Sequence, residues 1–284
     1  MLKQRILTAL VLVSVLFFAL LSASPLPFAL VSIVLMSAAA WEWARLNQLQ
    51  GAMPLAFGGV CASLCIWFWQ SDLVAAALPR YWLLMGAFWV VLGSVLLGIG
   101  VEGWKAQPRW FRCVGGLLLL LAAWLAVMQA RRVGLNFLFS AMSLVWVADI
   151  AAYFSGRAFG GKWFRRKLAP AISPGKTWEG VVGGVFGVLL TGLIWLGCES
   201  GGGADSPSIY RVLLNFGPVV AFLGCLFLAA MSVVGDLLES LVKRAAGFKD
   251  SSQLLPGHGG VLDRIDALLP TLPLAMMFAT LGGA

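Results

Sequence analysis

The chain has one histidine, His258, and charged side chains make up only 11% of its 284 residues. Soluble domains carry about 25% charged residues and roughly 45–50% apolar ones. Here the apolar share is 61% and the mean hydropathy is +0.92. A water-soluble globule of this length cannot hide so much apolar surface behind so few charges. The composition excludes a soluble enzyme, a disordered protein and a nucleic-acid-binding domain, despite a net charge of +8. In a membrane protein a basic excess marks cytoplasmic loops and anionic headgroups instead. The expected fold is all-α, a polytopic membrane bundle of about nine transmembrane helices.

Cysteine shows no framework. Cys61, Cys65, Cys113, Cys198 and Cys225 are odd in number and sit in or beside apolar runs. Cys61 and Cys65 are one helical turn apart, but zinc needs about four Cys or His ligands. They are small core hydrophobes. No Ser/His/Asp or Cys/His set, internal repeat or low-complexity stretch is visible.

A helix needs about 20 mostly apolar residues to cross a hydrocarbon layer of about 30 Å. Runs that qualify lie near 5–23, 27–46, 52–69, 81–99, 114–130, 134–155, 178–197, 212–242 and 262–281. The first resembles a signal peptide, with Lys3 and Arg5 before an apolar stretch. Because spans continue to the end of the chain, a retained helix is expected. With the N-terminus inside, basic residues gather on the cytoplasmic side, leaving Arg80, Arg131, Arg132 and Arg211 opposite. The Arg131-Arg132 pair is the discordant feature. Residues 1–130 form N-terminal transmembrane helices in this scheme, and 131–284 a C-terminal catalytic region with cytoplasmic loops. The first part holds only three of the twelve acidic residues, Glu42, Asp72 and Glu102.

Polar residues concentrate in three places. Asp236, Glu239, Ser240, Lys243 and Arg244 share one helical face. Asp263 and Asp266 follow at the start of the last span. Between them run Lys249-Asp250-Ser251-Ser252 and Pro256-Gly257-His258-Gly259-Gly260, where glycines let backbone N–H groups approach a phosphate. An amphipathic helix end with ion pairs accounts for Lys243 and Arg244. It accounts poorly for four aspartates around one glycine-rich loop, which repel unless a cation bridges them. All-oxygen ligands favour Mg²⁺ over zinc. Mg²⁺ with lysines and backbone amides is what phosphoanhydride chemistry requires.

The second place is Ser173-Pro-Gly-Lys176-Thr177-Trp-Glu-Gly180. A P-loop would need glycine where Pro170 stands, so that assignment fails. A Gly-Lys-Thr turn opening a helix remains, with N–H donors and an ammonium suited to an anion. The third is Asp149, Tyr153, Gly156 and Arg157 on one helical face. A structural ion pair of Asp149 with Arg157 or a neighbouring helix is an equally open account of it.

The segment from Ser240 to Asp266, S-x-x-K-R-x₄-K-D-x-S-x₂-L-P-x-H-G-G-x-x-D-R-x-D, resembles the signature of the phosphatidate cytidylyltransferase family, also called CDP-diacylglycerol synthases. Lys167 to Gly180, Ala148-Asp149 with Tyr153 and Gly156, and Trp41-Glu42-Trp43 are similar to the family too. The resemblance implies an inner-membrane enzyme that converts CTP and phosphatidate into CDP-diacylglycerol and pyrophosphate, with Mg²⁺. It points to Asp236 and Asp263 as metal ligands, a possible second cation in the site, and a homodimer. CTP, phosphatidate and membrane lipids are the expected partners, and nucleic acid is not one.

The chemistry agrees with the residues. The lipid phosphate is already anionic near neutral pH, so what is needed is charge neutralisation and alignment of two anions. Asp236 and Asp263 are expected on Mg²⁺, with Asp250 and Asp266 as further ligands or supporting groups. Lys243, Arg244, Lys249 and Arg264 would bind the triphosphate and the lipid phosphate. Ser173, Lys176, Thr177, Ser240, Asp149, Gly257, Gly259 and Gly260 complete the expected substrate surface, with His258 hydrogen bonding in the loop rather than protonating pyrophosphate. Two alternatives are CTP-dependent transfer to another lipid phosphate or lipid alcohol, and an ion-coupled transporter. The transporter would place carboxylates at the bilayer midplane in repeated halves; here they cluster near one surface beside lysines.

Overall fold

The computed structural model describes the backbone of residues 2–283 and side chains from Ile6 onward. Lys3 and Arg5, assigned by sequence to the N-terminal side, lie outside the described side chains. The helices are α1 (Leu2–Leu21), α2 (Leu26–Leu46), α3 (Met53–Gln70), α4 (Pro79–Ala106), α5 (Arg109–Val133), α6 (Leu135–Phe159), α7 (Trp178–Glu199), α8 (Ile209–Asn215), α9 (Pro218–Ala245), α10 (Leu262–Ile265) and α11 (Leu268–Leu281). Among the described residues the only β pairing is two isolated bridges.

Among the described residues eight segments are long and apolar enough to cross a membrane, the last being Leu262–Leu281, and Ile6–Leu21 is a shorter apolar helix. The chain is a multi-pass, all-α membrane protein. Proline opens α2, α3, α4 and α9, where its missing N–H costs no helical bond.

Two expected spans differ in detail. The run 212–242 divides into α8 and α9, because Gly217 takes a φ of 107° and Pro218 cannot continue the helical hydrogen-bond ladder. Short α8 is held inside by Ile209, Tyr210, Val212 and Leu213. The last span opens with the single turn α10, so Asp263 and Asp266 sit on a break rather than on a continuous helix.

Successive long helices alternate direction, bringing together the C-terminal ends of α2, α4, α6 and α9 and the N-terminal ends of α5, α7 and α10. The basic residues read as cytoplasmic gather at this end. Trp43 Nε1 donates to the Arg112 carbonyl at 2.9 Å there, linking α2 to α5. At the other end, Arg131 Nη2 donates to the Leu20 carbonyl at 3.0 Å. That carbonyl belongs to the open end of α1, which gives the discordant arginine a structural partner.

Helices α6 and α7 pack along most of their length. A Cβ on Gly184 would lie 2.9 Å from the Ala148 carbonyl oxygen, and one on Gly180 equally near that of Ala152. Small residues let membrane helices approach until their backbones touch. This contact sets the Asp149 face of α6 against the turn that opens α7.

Away from the basic end, Asp205 caps α6 from the α7–α8 loop, accepting from the N–H groups of Leu135 at 2.6 Å and Asn136 at 2.9 Å. Partial burial opposes its ionisation, but the Asn136 and Leu135 N–H groups outweigh it and hold the carboxyl below its ordinary range. A depressed native pKa adds stability at neutral pH, and that stability is lost as pH falls through it. Thermal unfolding of detergent-purified protein between neutral pH and about pH 3, just below the ordinary Asp value, checks this. Wild type should lose stability more steeply than Asp205→Asn, and parallel curves would contradict the cap.

Candidate active site

A cavity of about 590 Å³ opens at the basic end between α6, α7, α9 and α10. Asp149, Tyr153, Gly156 and Arg157 line it from α6, Lys176 and Thr177 from the start of α7, Asp236 from α9, and Asp263, Arg264 and Asp266 from the α10 turn. All three polar stretches of the sequence reach it. Arg157 Nη1 donates to the Tyr153 hydroxyl at 3.3 Å, and no ion pair between Asp149 and Arg157 forms among the described residues. Asp149 instead lies within electrostatic reach of Asp236 and Lys176, and Asp266 within reach of Asp236 and Asp149.

Lys176 Nζ meets Asp236 Oδ2 at 2.7 Å, while Ser240 donates to Asp236 Oδ1 at 3.2 Å. The lysine is presented by a tight turn: Ala169 bridges Ser173, the Leu168 N–H donates to the Lys176 carbonyl, and Lys167 Nζ donates to the Pro174 carbonyl at 2.7 Å. Thr177 accepts from the Gly180 N–H and caps α7. Glu179, buried behind it, accepts from the Trp163 and Phe164 N–H groups at 3.0 and 2.9 Å and ties down the basic 160–167 stretch. Arg244 Nε donates to the Ile172 carbonyl at 3.2 Å, so it holds this turn against α9 rather than facing the cavity.

Asp263 organises the glycine-rich loop. Its Oδ2 accepts from the Ser251 N–H at 3.0 Å, the Ser251 hydroxyl at 2.8 Å and the Gly260 N–H at 2.8 Å, and its Oδ1 meets Lys243 Nζ at 2.6 Å. Lys243 also pairs with Glu239. The expected single face of α9 therefore divides: Asp236 lines the cavity, while Glu239, 3% exposed, borders an apolar cleft on the other side.

A neighbouring hollow of about 680 Å³ is lined by Lys249, Asp250, Gly257, His258, Gly259 and Arg264. Arg264 borders both spaces and donates to the His258 carbonyl at 2.7 Å. The His258 ring has no partner at Nδ1 among the described residues. Lys249, Asp250, Gly257 and His258 thus stand outside the cavity that holds Asp236, and Ser173 serves the turn beneath Lys176.

The sequence pattern singles out neither Glu42 nor Glu179 as a site residue. Glu42, 0% exposed, accepts from the Ser252 hydroxyl at 2.5 Å and shares with Asp263 the one proton of the Ser251 hydroxyl, 3.1 Å away. It also accepts from the N–H groups of Val261 at 3.0 Å and Leu262 at 2.7 Å. Both ends of the glycine-rich loop are fastened to one carboxylate of α2. Two sequence signals touch Glu42, the Trp41-Glu42-Trp43 resemblance and an acidic residue inside an apolar run, which must be paired or hydrogen-bonded, but neither names its partners.

The donor set suits a hard cation: carboxylates, with no thiolate or imidazole in the cavity. Among the described residues no three such side chains close round an ion unaided. The four-helix junction gathers aspartates with a lysine and two arginines, cationic groups of the kind that suit phosphates. Consistent with this, residues 3–281 match the model of the Cytidylyltransferase family, and the chain belongs to that family. It is 40% identical to the phosphatidate cytidylyltransferase of Pseudomonas aeruginosa over the full length of both chains. It is 34% identical to that of Haemophilus influenzae, over 98% of each chain, and 31% identical to that of Bacillus subtilis, over 95% of each.

Glu42→Gln keeps the size of the side chain but turns an amide N–H₂ toward donors that need an acceptor. Hydrogen bonds to charged groups contribute about 1.5–3 kcal/mol, so the loop should loosen. Hydrogen exchange should accelerate in peptides spanning 250–262 and stay unchanged in α3; unaltered exchange across 250–262 would remove Glu42 from this role.

Proposed function

We propose that the chain transfers the cytidylyl group of CTP to phosphatidate at the α6–α7–α9–α10 cavity, releasing pyrophosphate and leaving CDP-diacylglycerol in the membrane. The observation that carries this reading is the meeting of Asp149, Asp236, Asp263 and Asp266 with Lys176, Arg157 and Arg264 in one cavity at the end of an apolar bundle. The names of the full-length relatives supply the two substrates. The excess of basic residues at this end supports a cytoplasmic side for the cavity and the N-terminus, by the positive-inside rule, and the inner membrane belongs to the proposal by family analogy.

Asp236 and Asp266, with Asp149 beside them, are the groups that would hold Mg²⁺, which keeps several waters and takes one or two carboxylates plus substrate phosphate. Bound there, it would neutralise phosphate charge. Asp263, expected from sequence beside Asp236 as a metal ligand, offers Oδ1 once Lys243 turns to a phosphate, while its Oδ2 keeps the loop in place. A second cation and a homodimer belong to the proposal by family analogy alone. Residues 131–284 carry the reacting groups in this reading, and the N-terminal helices support them through Glu42.

The reaction itself is a displacement. A phosphate oxygen of phosphatidate attacks the α-phosphorus of CTP, a new P–O bond forms, and the bond to the β-phosphate oxygen breaks with its electron pair leaving on pyrophosphate. Lys176, Arg157 and Arg264 draw the two anions together and offset their repulsion. Lys176 is paired with Asp236 before substrate arrives, so the triphosphate takes over an ammonium already in position. The nucleophile needs no proton removed, which fits a cavity without histidine.

Purified protein given CTP, phosphatidate and Mg²⁺ should form CDP-diacylglycerol and pyrophosphate, and EDTA should abolish both. Asp236→Asn should cut turnover about 10²–10³-fold, the usual loss when a group that stabilises transition-state charge is removed, with folding unchanged. Product from a different lipid acceptor alone would correct the substrate. No product with any acceptor from folded protein would overturn the reading.

A further inference from the structure

On the far side of α9 from the cavity lies an apolar cleft of about 380 Å³ between α4, α5 and α9. Trp89, Trp104 and Trp110 form much of its wall, and Trp43 of α2 closes its back. Ligand pockets run roughly 300–1,000 Å³, so the space admits part of one acyl chain rather than a folded segment of protein. Gly115 keeps one wall open, since a Cβ added there meets nothing within 4 Å.

One cationic group faces this cleft. Arg112 is 9% exposed, its Nε has no hydrogen-bond partner, and no carboxylate among the described residues lies within ion-pair distance of it. Glu239 also borders the cleft but is engaged by Lys243. A guanidinium removed from water without an anion is unfavourable, and its fork of donors matches a phosphate. Arg109 adds exposed positive charge one turn away on α5. Arg109, Arg112, Trp104 and Trp110 lie at the basic end of the bundle, where anionic headgroups sit in a membrane, and Trp89 lies deeper along α4.

We propose that this cleft holds an anionic phospholipid, its phosphate on Arg112 and one acyl chain along the tryptophan wall. It is a second lipid site, separate from the reaction cavity: Gly235 and Glu239 face the cleft, and Asp236 between them in sequence faces the cavity. The lipid held there does not present its phosphate to Lys176. A neighbouring protein helix is disfavoured by the charge, because it would bring no anion to Arg112 unless it carried a buried carboxylate.

The test needs no CTP and reads binding directly. Protein in phosphatidylcholine nanodiscs is doped with phosphatidylglycerol carrying a diazirine on its acyl chain, or with the phosphatidylcholine analogue of the same probe, then irradiated and mapped by mass spectrometry. In wild type, residues 88–119 should be labelled about fivefold more by the anionic probe, the factor expected from one basic residue beside an anionic lipid. Arg112→Gln should bring that labelling down to the phosphatidylcholine level. Gly115→Leu, whose Cβ meets no neighbour within 4 Å and whose side chain would occupy space in the cleft, should suppress labelling by both probes. Equal labelling by the two probes in wild type would mean ordinary boundary lipid and overturn the proposal. Labelling that survives Gly115→Leu would overturn it too. Either comparison decides even if Arg112→Gln does not fold.

Discussion

A carboxylate inside an apolar bundle must be given donors, and at the basic end of this molecule that requirement decides where the chain goes. Glu42 is supplied by the Ser252 hydroxyl and two backbone N–H groups at the ends of the glycine-rich loop and shares the Ser251 hydroxyl with Asp263, Asp263 is supplied by the same loop and Lys243, and Glu179 by the stretch before the α7 turn. Each acidic residue gains what a buried polar group needs, and each irregular segment gains a fixed shape in return. Two loops without regular secondary structure are thereby held against the ends of packed helices. The cavity between them is as well placed as if its walls were helical.

Asp236, Asp266 and Asp149 differ from these three. Their surroundings supply fewer donors than a carboxylate can accept: Asp236 has Lys176 and Ser240, and Asp266 the N–H of Ala267. Like charges crowded in this way favour whatever positive charge enters next to them. In the proposed reaction, that imbalance is what lets a cavity with few moving parts accept a magnesium nucleotide and a lipid phosphate together. The two lysines fall one to each class: Lys243 is paired with Asp263, which fastens the loop, and Lys176 with Asp236, which fastens nothing else but Ser240.

Much of this was legible in the sequence. Hydropathy places the helices, the arginine and lysine distribution identifies the basic end, and the spacing of Asp149, Lys176, Asp236, Asp263 and Asp266 marks stretches that meet in one cavity. Hydropathy averages over single residues, so it passed through Gly217-Pro218 and joined α8 to α9. Helical periodicity put Glu239 with Asp236, whereas α9 is packed on both sides and the two face different spaces. Glu42 was out of reach for another reason. Its partner Ser251 is 209 residues away, and nothing local to either residue reports the contact. Lys249, Asp250 and His258, expected at the site, lie instead in the adjoining hollow, which meets the cavity at Arg264.

The central claim is that the cavity neutralises and aligns two phosphates without lending a nucleophile of its own. The stereochemistry at phosphorus tests it most directly. With CTP made chiral at the α-phosphorus by sulfur substitution, a single in-line displacement by the lipid phosphate inverts the configuration in the CDP-lipid product. Inversion is the result predicted here. Retention would mean two successive displacements through a cytidylylated side chain, and would contradict the account.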